Sequence, residues 1–344
     1  MKRFVCILLV FSLLFGAALP AFASAQGTQA EASAEEEKQG CDFAGFFQRL
    51  WARVKSFFGS VKYYFQVKKE HVPNTMNKNA IHMLQSVEDT ICDSFIITTE
   101  DGKVIAIDGG HTAETDYFIR YLQAVTGLRR PKIDAWFLTH PHNDHVEVFT
   151  EVAGNRAKRV TFDRVLLKYA PYEYYAALES EEAMQMVSDF ERLRPAFPEK
   201  VQELSDGDVF SIGAAKFTVL YTFDPAWPDP NEASLIFRMD LGGKSVMFTG
   251  DAGVNAGNKA MANAKGTALM KCDICKMAHH GQNGVAKEFY EAVAPEICLW
   301  PTPTWVWDNV NGNLQTLEVR TWMEELGVKQ NLVAWQGSQV LYLN

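Results

Sequence analysis

Thr139-His140-Pro141-His142-Asn143-Asp144-His145 decides how this chain is read. Three imidazoles and one carboxylate fall within six residues, directly after the apolar run 135–138, which reads as a short strand. Four ligand-type side chains this close cannot share one helix face, but a loop leaving a strand can turn them all into one cavity. Imidazole nitrogen and carboxylate oxygen together suit Zn²⁺ or another first-row divalent ion. Two distant segments repeat the arrangement. Val246-Met247-Phe248 leads into Gly250-Asp251, and Ile274-Cys275-Lys276-Met277 leads into His279-His280-Gly281. Three strand ends that each present ligands are what a shared metal cleft requires.

Working outward, the texture from about residue 81 is strands alternating with helices. Strands are expected over 81–84, 94–99 and 104–107, the last two joined by the turn Glu100-Asp101-Gly102. Helices are expected over 114–125, ending at Gly127, over a segment beginning after His145, and over 180–194 with Ser180 as N-cap. Further strands fall at 164–167, 209–212, 216–221, 234–239 and 245–249. Two mixed halves of this kind predict an α/β sandwich, two sheets covered by helices.

The flanks differ in kind. Residues 1–23 combine Lys2-Arg3, an apolar run and Ala21-Phe22-Ala23, the pattern of a cleaved secretory signal, with an uncleaved anchor as the alternative. Such a chain is secreted or held at the cell surface. Residues 24–40 lack anything to bury and read as a disordered linker. Residues 41–70 read as a basic aromatic amphipathic helix. Its stripe over 43–65 either packs on the following domain or lies on a membrane surface. The catalytic domain is expected over 79–344. Cys272 and Cys275 have C-x-x-C spacing but no second pair, and they read as small buried hydrophobes of a strand.

The 344 residues carry a net charge of -9, with 47% hydrophobic and 22% charged residues. These values exclude a mainly disordered, collagen-like or coiled-coil protein. The acidic balance argues against a broad basic grip on nucleic acid, while leaving a local basic groove open. No G-x-S-x-G elbow or Walker A motif offers a competing mechanism.

The H-x-H-x-D-H signature met by His140, His142, Asp144 and His145 resembles that of the metallo-β-lactamase superfamily. Supporting matches are Ala106-Ile107-Asp108-Gly109-Gly110, Asn231-Glu232-Ala233-Ser234-Leu235, Phe248-Thr249-Gly250-Asp251 and His279-His280-Gly281. The chain looks most like the branch holding the hydrolase domain of competence channels and secreted phosphorylcholine esterases. The resemblance implies the αββα sandwich and two adjacent metal positions. His140 and His142 would hold one ion, Asp144 and His145 the other, and Asp251 would bridge them. One of His279 and His280 would complete the second position. Here His280 is taken as the ligand and His279 as the catalytic group on the substrate side, with Asp144 both binding metal and orienting the nucleophile.

The chain departs from the wider pattern in one respect. No His lies between His145 and His279, so the first position is open to water, completed by another oxygen, or unused. That absence disfavours β-lactamase activity. Two Zn²⁺ ions are expected, with Mn²⁺ or another divalent ion as alternatives. Such a pair lowers the pKa of bound water for attack on phosphorus or a carbonyl carbon. His111 is a spare ligand or substrate contact, and Trp227, Trp305 and Trp307 are candidate substrate rings, as are Tyr169, Tyr172, Tyr174 and Tyr175. The expected activity is hydrolysis of a phosphodiester in a small molecule or cell-envelope polymer. Amide, lactone or thioester hydrolysis, extracellular nuclease action and non-catalytic metal binding are the alternatives.

Overall fold

The computed structural model describes residues 54, 58–59 and 61–344. The expected signal at 1–23, the linker at 24–40 and most of the stripe at 43–53 lie outside the described residues. Among the described residues, no helix is long and apolar enough to cross a membrane.

Two seven-stranded sheets make the frame. The first runs β16 (Gln339–Tyr342), β1 (Ala80–Met83), β2 (Ser94–Thr98), β3 (Val104–Asp108), β5 (Ala135–Leu138), β7 (Val165–Leu167), β8 (Val201–Glu203). The second runs β15 (Gln330–Val333), β14 (Ile297–Trp300), β13 (Ile274–Lys276), β12 (Lys244–Phe248), β11 (Ile236–Leu241), β10 (Ala215–Tyr221), β9 (Val209–Ile212). A two-stranded ribbon of β4 (Lys132–Ile133) and β6 (Thr161–Phe162) lies apart. In each sheet the hairpin-linked strands pair antiparallel, and those reached through a helix pair parallel, as in β3–β5–β7 and β12–β13–β14.

β5 shows how the layers form. Successive side chains of a strand point to opposite faces. Phe137 therefore enters the core between the sheets, where its ring stacks on Phe237 at 4.7 Å and meets Phe217 at 4.9 Å. Trp136 points the other way, stacked on Phe118 at 5.3 Å beneath the helical layer. That layer on the first sheet holds the helix over 61–69 (α1), α2 (Thr115–Thr126), α3 (Asn143–Asn155), α4 (Tyr172–Ala177) and α5 (Glu181–Leu193). The second sheet is covered by α6 (Val254–Asn263), α7 (Lys287–Val293), α8 (Thr304–Trp307) and α9 (Thr316–Glu325).

α1 is amphipathic on two sides. Tyr63 and Val67 are buried against the first core, with Tyr63 edge-on to Tyr117 at 5.8 Å. Tyr64 and Phe65 on the opposite side are exposed, beside Lys62, Lys68 and Lys69. Cys272 and Cys275 are buried free thiols, as their apolar setting led us to expect.

One boundary differs from the sequence expectation where it matters. α3 begins at Asn143, not after His145. His142 holds the extended N-cap conformation, and the Glu182 carboxylate accepts the Asn143 N–H at 2.7 Å. Asp144 falls in the first turn, where the helix dipole favours an anion. The metal-type residues are thus divided: His140 and His142 on the loop, Asp144 and His145 on the helix.

Candidate metal centre

The ligand-type residues sit where both sheets end. β5 delivers His140 and His142, α3 delivers Asp144 and His145, the turn after β12 delivers Asp251, and the turn after β13 delivers His279 and His280. One ligand atom each from Asp144, His145, Asp251 and His280 lies within 4.8 Å of every other. His280 Nε2 is 3.0 Å from Asp144 Oδ2 and 3.0 Å from Asp251 Oδ2. His145 Nε2 is 3.2 Å from Asp251 Oδ2 and 3.5 Å from Asp144 Oδ2. Both Nε2 atoms are nevertheless buried without a hydrogen-bond partner. Two orphaned imidazole nitrogens facing two carboxylates around a common centre fit a divalent cation, since buried polar atoms are otherwise paired. The residues present fit the ion that the H-x-H-x-D-H signature implies.

The other ring nitrogens are held from behind. His145 Nδ1 donates to Asp108 Oδ2 at 2.7 Å, and both groups are fully buried. Asp108 also accepts the Thr139 N–H at 2.8 Å and its hydroxyl at 2.7 Å. His280 Nδ1 donates to the Pro301 carbonyl at 3.1 Å. Such partners fix the tautomer and aim Nε2. His140 and His142 form a separate pair, with Nε2 and Nδ1 3.0 Å apart.

The charges are strongly perturbed. Burial works against the charge on His145, but the Asp251, Asp144 and Asp108 carboxylates hold it well above its ordinary pKa. Burial likewise opposes His280, yet Asp251 and Asp144 raise it to about 9. Burial, then the neighbouring His145 and His142, push His140 well below its usual value. Burial would raise Asp251, but His280, His145 and Lys276 hold it well below the ordinary carboxylate range. The carboxylates thus favour positive charge at this centre, whether on a ring or on an ion. Metal binding to such a site displaces protons.

Lys276 and Asp108 carried no role in the sequence reading. Lys276, on β13, is buried; its Nζ pairs with Asp93, donates to the Gly250 carbonyl at 2.6 Å and lies 3.3 Å from Asp251 Oδ1. One Asp251 oxygen is thereby occupied by an ammonium, leaving Oδ2 for the centre. The available signal was a lysine inside an apolar strand, a residue that is almost never fully buried unless paired. For Asp108 it was a carboxylate at the end of an apolar strand followed by two glycines.

The adjacent histidines reach their places by a different route from the strand alternation expected. β13 ends at Lys276, and His279 and His280 follow with φ of 49° and 56°, left-handed conformations rare outside glycine. His280 turns inward. His279 lines the cleft with its Nε2 3.9 Å from Asp251, and its Nδ1 donates to the Asn283 carbonyl at 3.1 Å.

The cleft has a volume of about 400 Å³, and its wall includes His111, Asn143, Glu182, Asn231, Gln282 and Trp305. Of the candidate substrate residues, His111 and Trp305 line it, and Trp227 and Trp307 do not. Trp227 packs beside Tyr221, and Trp307 stands edge-on to Trp300 at 5.3 Å under the Arg320 guanidinium. Both rings pack against the apolar cluster between the second sheet and its helices. Tyr175 is buried, Tyr174 bonds to the Asp229 carbonyl at 3.0 Å, and Tyr169 and Tyr172 face another cavity. His111 is 3.8 Å from Glu147, which raises its pKa against the opposing effect of burial.

Comparisons with known proteins agree with this architecture. ComE operon protein 3 of Bacillus subtilis (strain 168) is 27% identical over 173 residues, 49% of this chain and 20% of that protein. The chain therefore spans about a fifth of that relative's length. Among solved structures, a mutant of the CmlA β-hydroxylase is 16% identical with a TM-score of 0.50, covering 77% of this chain and 54% of the other. The metallo-β-lactamase fold protein YhfI from Bacillus subtilis is 13% identical with a TM-score of 0.47, covering 76% and 99%. At 16% identity the likeness to the CmlA mutant concerns the fold alone. The family model described as Metallo-beta-lactamase superfamily matches residues 87–295. With two sheets, covering helices and ligand-type residues gathered at the strand ends, the chain belongs to the metallo-β-lactamase superfamily.

Proposed function

We propose that this chain is an exported hydrolase that uses two divalent ions, Zn²⁺ or Mn²⁺, to cleave a phosphodiester. The observation that carries the reading is the convergence of Asp144, His145, Asp251 and His280 with two orphaned Nε2 atoms. These four residues would hold one ion, and His140 and His142 with Asp251 the other. Bound there, the ions supply Lewis-acid polarisation of the scissile group and a water acidic enough to attack at neutral pH.

The chain's own residues do the rest. Because His279 Nδ1 donates to Asn283, the neutral ring presents a bare Nε2 to the cleft. It takes a proton from the attacking water and returns it to the leaving oxygen. His111 offers a ring N–H to an anionic substrate, and Trp305 offers one aromatic face. A wall of mainly polar side chains suits a charged, hydrophilic group better than an acyl chain. The basic n-region and apolar run of 1–23 support export. Outward-facing Tyr64 and Phe65 beside three lysines support contact with an anionic membrane surface.

The test is metal analysis of the pure protein, then turnover of bis-phosphodiester, phosphomonoester, lactone and β-lactam substrates. The expected result is bound or restorable metal and kcat/KM at least tenfold higher for the diester than for any other class. His111→Gln should raise KM for the diester several-fold and leave metal content unchanged. A protein that takes up no Zn²⁺ or Mn²⁺, or that turns over only lactone or β-lactam, would overturn the proposal.

A further inference from the structure

The His140–His142 pair is short of a protein donor. Its two nitrogens lie 3.0 Å apart, and no third histidine stands between His145 and His279 in the sequence. The segment that crosses the cleft in that interval is the short turn Pro230–Ala233, leading into β11. It is held on every side. Asp229 caps the turn by accepting the Asn231 N–H at 2.8 Å. The Glu232 carboxylate accepts the N–H groups of Asn255 at 3.1 Å and Ala256 at 2.6 Å, fixing the turn to the start of α6. Ser234 Oγ accepts the Asp251 N–H at 3.0 Å, and the Leu235 N–H donates to the carbonyl of Thr139, next to His140, at 3.0 Å. The turn is thus stitched to the loops that carry His140 and Asp251.

Within this turn, Asn231 lines the same cleft as His142, Asp144 and Asp251. Its Oδ1 is buried and has no hydrogen-bond partner. A buried acceptor without a donor is rare, because desolvating it uncompensated is unfavourable. The turn supplies no donor to this carbonyl oxygen, which leaves it available to a cation in the cleft.

We infer that Asn231 Oδ1 is the oxygen donor that completes the His140–His142 metal position, making that position the weaker and harder of the two. A neutral amide oxygen binds less tightly than an imidazole or a carboxylate and suits Mn²⁺ or Mg²⁺ better than a third nitrogen would. The four-residue centre of Asp144, His145, Asp251 and His280 fills first, and the Asn231 position second. Glu182 is the competing donor, since its carboxylate approaches His142 and Asp144. It is exposed, however, and already accepts the Asn143 N–H.

The inference rests on the metal-dependent reading, and one titration separates the two. The full chain, stripped with chelator, is titrated with Mn²⁺ and with Co²⁺ by calorimetry and absorption, and bound ions are counted by elemental analysis. Wild type should take two ions per chain in two steps. Asn231→Leu should keep the first step and weaken the second at least tenfold. Asn231→Asp should tighten the second, and Glu182→Gln should leave both steps within twofold of wild type. A second step unchanged in Asn231→Leu, or lost in Glu182→Gln, overturns the assignment, as does a wild type saturating at one ion. Should Asn231→Leu fold poorly by circular dichroism, Asn231→Asp decides alone, and no tightening overturns the assignment. No ion bound at all overturns the metallohydrolase reading itself.

Discussion

Single residues behind the centre set its geometry. Asp108 touches neither the cleft nor a substrate, yet it fixes which nitrogen His145 turns toward the ions. Asp108→Asn keeps the shape and removes the charge. Its expected effect is a 10–100-fold loss of metal affinity, the usual consequence of losing a carboxylate behind a ligating histidine. Thermal unfolding of the metal-free variant should change little by comparison, and affinity within twofold of wild type would refute the role. His82 acts on stability instead. Its ring lies buried between the Thr75 hydroxyl at 2.8 Å and the Tyr121 hydroxyl at 3.2 Å, and burial lowers its pKa to about 4. The folded state therefore resists a proton that the unfolded chain, titrating near 6.5, accepts. Stability from this group is complete above about pH 6.5 and is lost as pH falls toward 4, by about 2–3 kcal/mol in all. Urea midpoints between pH 7 and 4.5 should fall more steeply for wild type than for His82→Gln.

At the scale of elements, the longer apolar strands were legible, and the short or edge strands and the turns were not. β5 and β9 are where periodicity and apolar runs put them, and the other expected strands lie within two residues, because alternation and β-branched content act locally. No strand was expected at β4, β6, β8, β15 or β16. The H-x-H-x-D-H signature likewise announced a metal cleft. What the sequence did not announce was the start of α3, since the capping carboxylate comes from Glu182, on another helix. Nor did it announce the turn holding His279 and His280. Residue 281 closes that turn with φ 82°, and a Cβ on it would lie 2.3 Å from the Trp300 ring. Gly281→Ala therefore faces both a disfavoured backbone conformation and a clash with a buried indole. We expect a loss of about 1–3 kcal/mol in stability and of bound metal, because His280 is the preceding residue. Calorimetric melting with elemental analysis checks both, and a variant with wild-type values would refute the account.

Across the whole molecule, the same division holds. The sandwich follows from apolar runs: Phe137 and Trp136 show one strand serving two cores, and such patterning is written residue by residue. The partnerships that finish the centre are long-range. Asp108 meets His145 across 37 positions, and Lys276 lies beside Asp251 at a separation of 25. Neither spacing follows any local period. They exist only once both sheets are in place, which is why a lysine in an apolar strand reads as an oddity until its carboxylates arrive.

That lysine has a consequence for the order of events in the protein's life. An acid-rich hollow with no counter-charge would push its own walls apart, and the chain would have to find metal before it could close. Here the ammonium of Lys276 sits between Asp93 and Asp251 as a permanent internal cation, supplied by the polypeptide itself. Folding should therefore depend less on metal than it would in an acidic hollow without an internal cation.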